Sequence, residues 1–145
     1  MQVKLRKLTP TAKTPTYGSD GAAAFDIYAN LPDTWLGIPA GEMRAISTGI
    51  AVEVPPGHVL RLYSRSGHGF VNSVTLVNSV GVIDSDYRGE IMVGLRNDGS
   101  NPFQVHHGDR IAQGIIEPIE RVEFVDAEEL SLTERGTKGF GSTGK

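Results

Sequence analysis

Ala45-Ile46-Ser47-Thr48-Gly49-Ile50-Ala51-Val52-Glu53-Val54 runs into Pro55-Pro56-Gly57, and His58-Val59-Leu60-Arg61-Leu62-Tyr63 follows. This stretch decides the fold class. Both runs are rich in β-branched residues and alternate in polarity with a period of two, as half-buried strands do. The Pro-Pro-Gly step between them breaks any continuous element and favours a tight turn. The pattern continues outward in both directions. Val3, Leu5 and Lys7 face one way while Lys4, Arg6 and Leu8 face the other. Ser73 to Val77, Glu90 to Leu95, Arg110 to Ile116 and Arg121 to Val125 read as further strands, punctuated by Asn97-Asp98-Gly99 and His107-Gly108-Asp109. No segment longer than about ten residues keeps a helical period. Ala127-Glu128-Glu129-Leu130 is expected to form a single helical turn. Regular short strands with sharp turns predict an all-β sandwich or barrel.

Composition agrees. A chain of 145 residues predicts one domain. Its 18 glycines and 8 prolines are too many for a helical bundle and too few for a low-complexity chain. A hydrophobic fraction of 39% is enough for a real core at this length. No apolar run approaches a membrane span. The first residues alternate instead of forming a signal-peptide core, so a soluble, cytoplasmic protein without a membrane partner is expected. The chain has no cysteine, which excludes disulfides, thiolate metal sites and cysteine nucleophiles. A net charge of −3 without a basic cluster speaks against nucleic acid as a partner. Phosphate chemistry here rests on a few placed cations.

The last residues stand apart. Glu134 to Lys145 holds four glycines and one large apolar side chain, Phe140. One reading is a frayed terminus. The other is a flap that closes on an anion: glycine exposes backbone N–H groups, and hydroxyls and cations stand beside them. Phe140 then adds a stacking face for a base. Gly139 to Lys145 also matches a phosphate-loop spacing, but no hydroxyl residue follows the lysine and no helix opens there, so that match is rejected.

Two inner segments carry candidate chemistry. In Asn78 to Glu90, Asp84 and Asp86 sit two apart in a turn, with Tyr87 beside them. Both acids suit turn capping. Either also suits substrate binding or activation of water. In Arg61 to Gly69, the Arg65-Ser66-Gly67 step offers a fork donor, a hydroxyl and an approachable backbone, which suits phosphate as well as a plain turn. Ser66 with His68 does not give triad geometry. His106 and His107 are adjacent in a strand and point to opposite faces, so a shared metal is not expected.

Together the segments resemble the trimeric dUTPase family. Five motifs occur in that family's order: Ala23 to Ile27, Ser64 to Gly67, Gly81 to Glu90, Gly108 to Gln113 and Arg135 to Gly144. The third and fifth are long and specific. The resemblance implies a β jelly-roll-like barrel or sandwich over residues 1–134 and a flexible glycine-rich flap over 135–145. It implies a homotrimer whose active sites lie between subunits. It implies Mg²⁺-dependent hydrolysis of dUTP to dUMP and pyrophosphate, which limits uracil in DNA and supplies dUMP for dTMP synthesis. The ion is then held mainly by substrate phosphates and water.

By the same resemblance, Asp84 is the catalytic carboxylate that activates water for attack on the α-phosphorus. Asn78 and the backbone of Gly81, Val82, Ile83 and Met92 read uracil. Tyr87 packs under the deoxyribose and excludes a 2′-hydroxyl. Arg65, Ser66, Gly67 and Gln113 hold the phosphates. Arg135, Gly141, Ser142 and Thr143 close on the γ-phosphate, and Phe140 stacks on the base. Asp26 and Arg110 support the site.

This chain departs from the family pattern at Ser64, where Pro is usual, and at His68-Gly69, where an apolar residue and Ala are common. Ala24 replaces a frequent Gly, and Gly114 a larger apolar residue. These departures put in question the stiffness of the Arg65 turn, the bend at Ala24 and the packing at Gly114. Two rivals keep the same fold: a dCTP deaminase or bifunctional dCTP/dUTP hydrolase, and a non-enzymatic module with a relic pocket. The Asp84–Tyr87 block with the glycine tail disfavours the first. The intact set of Asp84, Arg65, Gln113 and Arg135 disfavours the second.

Overall fold

The computed structural model describes residues 1–140. The elements in chain order are β1 (Lys4–Lys7), β2 (Thr16–Tyr17), β3 (Phe25–Tyr28), β4 (Trp35–Ile38), β5 (Met43–Ser47), β6 (Ile50–Glu53) and β7 (His58–Tyr63). They continue with α1 (Ser66–Asn72), β8 (Val74–Leu76), β9 (Val80–Ile83), β10 (Met92–Asn97), β11 (Phe103–His106) and β12 (Arg110–Pro118). Every strand pair is antiparallel. A five-stranded sheet runs β2-β3-β12-β7-β9, and a three-stranded sheet runs β5-β10-β8. The pairs β1-β6 and β4-β11 complete a β jelly roll.

Alternation explains the layering. In β10, Val93, Leu95 and Asn97 point inward while Met92 and Arg96 stay exposed. Ile27, Ile38, Ile46, Ile50, Leu60, Ile91, Leu95 and Ile111 are fully buried and form the centre of the core. Burying each such side chain stabilises the fold by about 1.5–3 kcal/mol. Asn97 is buried among them, but its side-chain amide donates to the carbonyls of Ile38 and Asn101 at 2.9 and 2.8 Å. A buried polar group so partnered costs little.

The long Ala45–Val54 run is two strands, not one. Gly49 breaks it with φ +66°, and a Cβ there would sit 2.7 Å from the Asn30 amide nitrogen. Two departures from the family pattern also find local causes. Gly114 leaves room for the Phe25 ring, since a Cβ would lie 2.4 Å from its edge. Within the chain, the missing side chain at Gly114 lets the Phe25 ring lie close against β12. Ala24 is not among the positive-φ residues, so its position does not demand glycine.

Three expectations are corrected. Arg121–Val125 is no strand among the described residues; it is exposed and unpaired, and alternation without a neighbouring edge forms no ladder. Ala127–Leu130 forms no helical turn: all four residues are exposed, so no packing among the described residues offsets nucleation. The helix α1 was not foreseen, since Gly67 and Gly69 are poor helix formers. Residues 118–140 are exposed throughout and form an arm that follows β12.

Candidate active site

The Asp84 segment connects β9 to β10 across a tight turn. The Tyr87 N–H donates to the Asp84 carbonyl at 3.2 Å. The Arg88 guanidinium donates to the carbonyls of Ser85 and Tyr87 at 2.7 and 2.9 Å, which fixes the outer loop. The Tyr87 hydroxyl donates to the Glu90 carbonyl at 2.9 Å. Its ring lies over Gly89, where a Cβ would come within 2.4 Å of the phenol oxygen. The Glu90 carboxylate accepts the Gly49 N–H at 2.7 Å and the Ser47 hydroxyl. The Thr48 hydroxyl donates to the Ile91 carbonyl at 2.6 Å. The turn before β6 is thus fastened to the start of β10.

These restraints shape a cleft of about 250 Å³ lined by Val82, Ile83, Asp84, Tyr87, Glu90 and Met92. Asp84 is exposed, and its carboxylate makes no hydrogen bond or ion pair among the described residues. β9 is the edge of its sheet, paired on one side with β7. Its outer backbone groups therefore have no strand partner among the described residues. Gly81 is buried against Leu62, which a Cβ would approach to 3.0 Å. Asn78 is exposed in the bend before β9, where Ser79 takes φ +57°.

The cations gather elsewhere. Asp26 in β3 is 4% exposed and lies between two arginines. Its Oδ2 is 3.3 Å from an Arg110 guanidinium nitrogen, and its Oδ1 is 3.3 Å from Arg65 Nε. The Arg65–Asp26 contact is a charge pair without hydrogen-bond alignment, because both atoms lack a hydrogen-bond partner among the described residues. Arg65 also donates to the Arg110 carbonyl at 3.3 Å. Gln113 stands opposite both Asp26 and Tyr63 across β3-β12-β7, so the three share one sheet face. Ser64 accepts the Leu76 N–H at 2.8 Å. That bond ties the end of β7 to β8 and supplies the stiffness that the absent proline put in question.

The register keeps the two groups apart. β7 pairs with β9 from Tyr63↔Val80 to Leu60↔Ile83. Asp84 then lies level with Val59, six residues along β7 from Arg65. At roughly 3.3 Å per residue, that is about 20 Å. Within one chain, Val82, Ile83, Asp84, Tyr87 and Met92 share a cleft, and Asp26, Arg65, Arg110 and Gln113 cluster at the far end of the ladder.

The dUTPase family profile matches residues 11–144. The chain belongs to the dUTPase family. A deoxyuridine 5'-triphosphate nucleotidohydrolase of Nautilia profundicola is 43% identical over 145 residues, with all of both chains covered. That of Methylocella silvestris is 46% identical over 131 residues, covering 90% of this chain and 82% of the relative. Among solved structures, a Staphylococcus bacteriophage 80alpha dUTPase with dUPNHPP superposes at a TM-score of 0.89. It is 28% identical, and 99% of each chain is covered. A mutant dUTPase of the S. aureus phage phi11, described with a structural Mg(II) ion, shares the fold at a TM-score of 0.79. It is 24% identical, covering 89% of this chain and 98% of that one.

Residues of the third motif line the cleft, and residues of the first, second and fourth motifs meet around Asp26. Arg135 and Phe140 lie on the exposed arm. The described contact of Arg135 is local, Nε donating to the Lys138 carbonyl at 3.2 Å. Gly141, Ser142 and Thr143 lie outside the described residues. Sequence reading assigned no role to Glu90, Ser47 or the His68 ring. Glu90 ends the third motif, and that position is its one local signal. The Ser47 and His68 contacts depend on partners far along the chain.

Proposed function

We propose that this chain hydrolyses dUTP to dUMP and pyrophosphate by water attack on the α-phosphorus. The single observation that carries the reading is Asp84, an exposed carboxylate without a hydrogen-bond or ion-pair partner among the described residues, at the rim of a cleft formed by an edge strand and Tyr87. Uracil presents an acceptor–donor–acceptor edge that matches alternating backbone groups of Gly81, Val82 and Ile83, with Asn78 and the Met92 backbone completing the contact. Cytosine leaves those groups mispaired, which gives strong discrimination in sites of this kind. Tyr87, pinned through its hydroxyl, packs under the deoxyribose and blocks a 2′-hydroxyl.

Asp84 orients a water molecule and accepts its proton. The water oxygen bonds to the α-phosphorus as the bond to the bridging oxygen breaks, and pyrophosphate leaves. Arg65, Ser66, Gly67 and Gln113 hold the phosphates, with Asp26 and Arg110 setting the Arg65 side chain. The flap over 135–145 brings Arg135, Gly141, Ser142 and Thr143 to the γ-phosphate and Phe140 onto uracil, over a jelly-roll body within 1–134. Phosphoryl transfer needs such positioning and charge stabilisation more than covalent chemistry.

The separation of about 20 Å between Asp84 and Arg65 along the ladder supports a homotrimer in which neighbouring copies complete each site. Mg²⁺ would enter on the substrate's phosphate oxygens, the hard donors it prefers. Among the described residues no group of three or more His, Cys, Asp or Glu gathers for a metal. Mg²⁺ retains several waters and binds chiefly through substrate phosphates. When bound, the ion neutralises phosphate charge. Among the described residues no helix is long and apolar enough to cross a membrane. We place the activity in the cytoplasm, with a nucleotide and not nucleic acid as its partner. Hydrolysis in ¹⁸O-water is the test: mass spectrometry should find the label in dUMP. Label in pyrophosphate would contradict α-attack.

A further inference from the structure

The helix α1 carries Ser66 and Gly67, and little in its own sequence holds it in place. It is seven residues long, Arg65 at the position before it makes no side-chain cap, and none of its residues is buried. Gly67 and Gly69 lie inside it. A short helix of this composition has no intrinsic stability and depends on tertiary contacts. Among the described residues, one α1 side chain hydrogen-bonds to another element. His68 Nε2 is 2.8 Å from the Arg110 carbonyl oxygen. A carbonyl only accepts, so Nε2 carries the proton. The His68 ring also meets Phe103 edge-on, with centroids 5.2 Å apart. The same Arg110 oxygen accepts from Arg65 at 3.3 Å.

We propose that His68 is a positioning residue for phosphate binding. Its Nε2–H fastens the first turn of α1 to the Arg110 carbonyl and so sets Arg65, Ser66 and Gly67 relative to β12. This inference rests on the phosphate-binding role proposed for that segment. The family pattern favours an apolar side chain here, which can pack on Phe103 but cannot donate. In this chain the donor and the aromatic contact act together. His68 touches no reacting atom, so its removal weakens substrate and transition state alike, which appears in KM and not in kcat.

Three variants separate the donor from the packing. His68→Leu keeps an apolar contact and loses the donor; His68→Ala loses both. His68→Gln places an amide N–H where Nε2 stands. Leu and Ala should raise KM for dUTP about tenfold with kcat within about twofold, the size expected for one lost hydrogen bond. Gln should return KM to within about threefold of wild type, with the packing contact reduced. Backbone amide exchange over residues 67–72, measured without substrate, should accelerate in Leu and Ala and recover in Gln. Wild-type KM and exchange in His68→Leu, or a Gln variant no better than Leu, would overturn the proposal. If the wild-type chain releases no pyrophosphate from dUTP, the proposed function fails, and the exchange experiment alone decides the tether.

Discussion

Asp84→Asn should bind dUTP as tightly as the wild type and hydrolyse it about 10³-fold more slowly, within the range for loss of a general base. Asparagine keeps the size of the side chain and one acceptor, so it can still hold a water molecule. It cannot take the proton. Asp84 makes no hydrogen bond or ion pair among the described residues, so the substitution breaks no structural contact there. The loss should therefore fall on the chemical step. Calorimetric titration with a non-hydrolysable dUTP analogue reports binding, and single-turnover dUMP formation reports chemistry. Normal turnover by this variant would remove Asp84 from the role of base.

Deleting residues 135–145 should lower kcat by about 10³-fold, the lower end of the range for arginine fingers in GTPases. The deletion removes Arg135 and the hydroxyls of Ser142 and Thr143 together, while the proposed phosphate contact of Arg65 is retained. It should leave the fold intact, because every described residue after Glu117 is exposed. Light scattering on the truncated protein should still give three times the subunit mass. An unchanged steady-state rate would show that the tail does not close on the substrate.

Much of the fold was legible because strands are local. His58–Tyr63 alternates, is bounded by turn residues, and is β7 in the structure. Where a second element had to be known, sequence reading stopped. Arg121–Val125 has the same alternation, yet no neighbouring edge pairs with it among the described residues. Ala45–Val54 reads as one strand until Asn30, brought up from another segment, leaves no room for a Cβ at residue 49. The helix α1 is invisible to periodicity because its glycines oppose helix and its supports come from Arg110 and Phe103.

The site divides in the same way. Asp84 and Tyr87 announce themselves through an unusual turn of Asp, Ser, Tyr and Gly. The Glu90 carboxylate and the His68 ring act through partners 41 and 42 residues away. Ser64 shows why a departure from a family pattern is not a defect in itself: its hydroxyl ties β7 to β8 where a proline would have stiffened the chain. The register of β7 on β9 shows what no local motif contains. The second and third motifs, for which we propose a shared substrate, lie at opposite ends of a single ladder.

The central claim is that this chain selects dUTP and cleaves it between the α- and β-phosphates. Pyrophosphate release from dUTP, dCTP and UTP, each with and without Mg²⁺, tests it most directly. Release from dUTP should be rapid with Mg²⁺ and markedly slower without the ion. The kcat/KM for dCTP, whose base edge would mispair with the strand, should be lower by about 10⁴. UTP should fail at the Tyr87 gate. Equal rates from the three nucleotides, or release from dCTP alone, would contradict it.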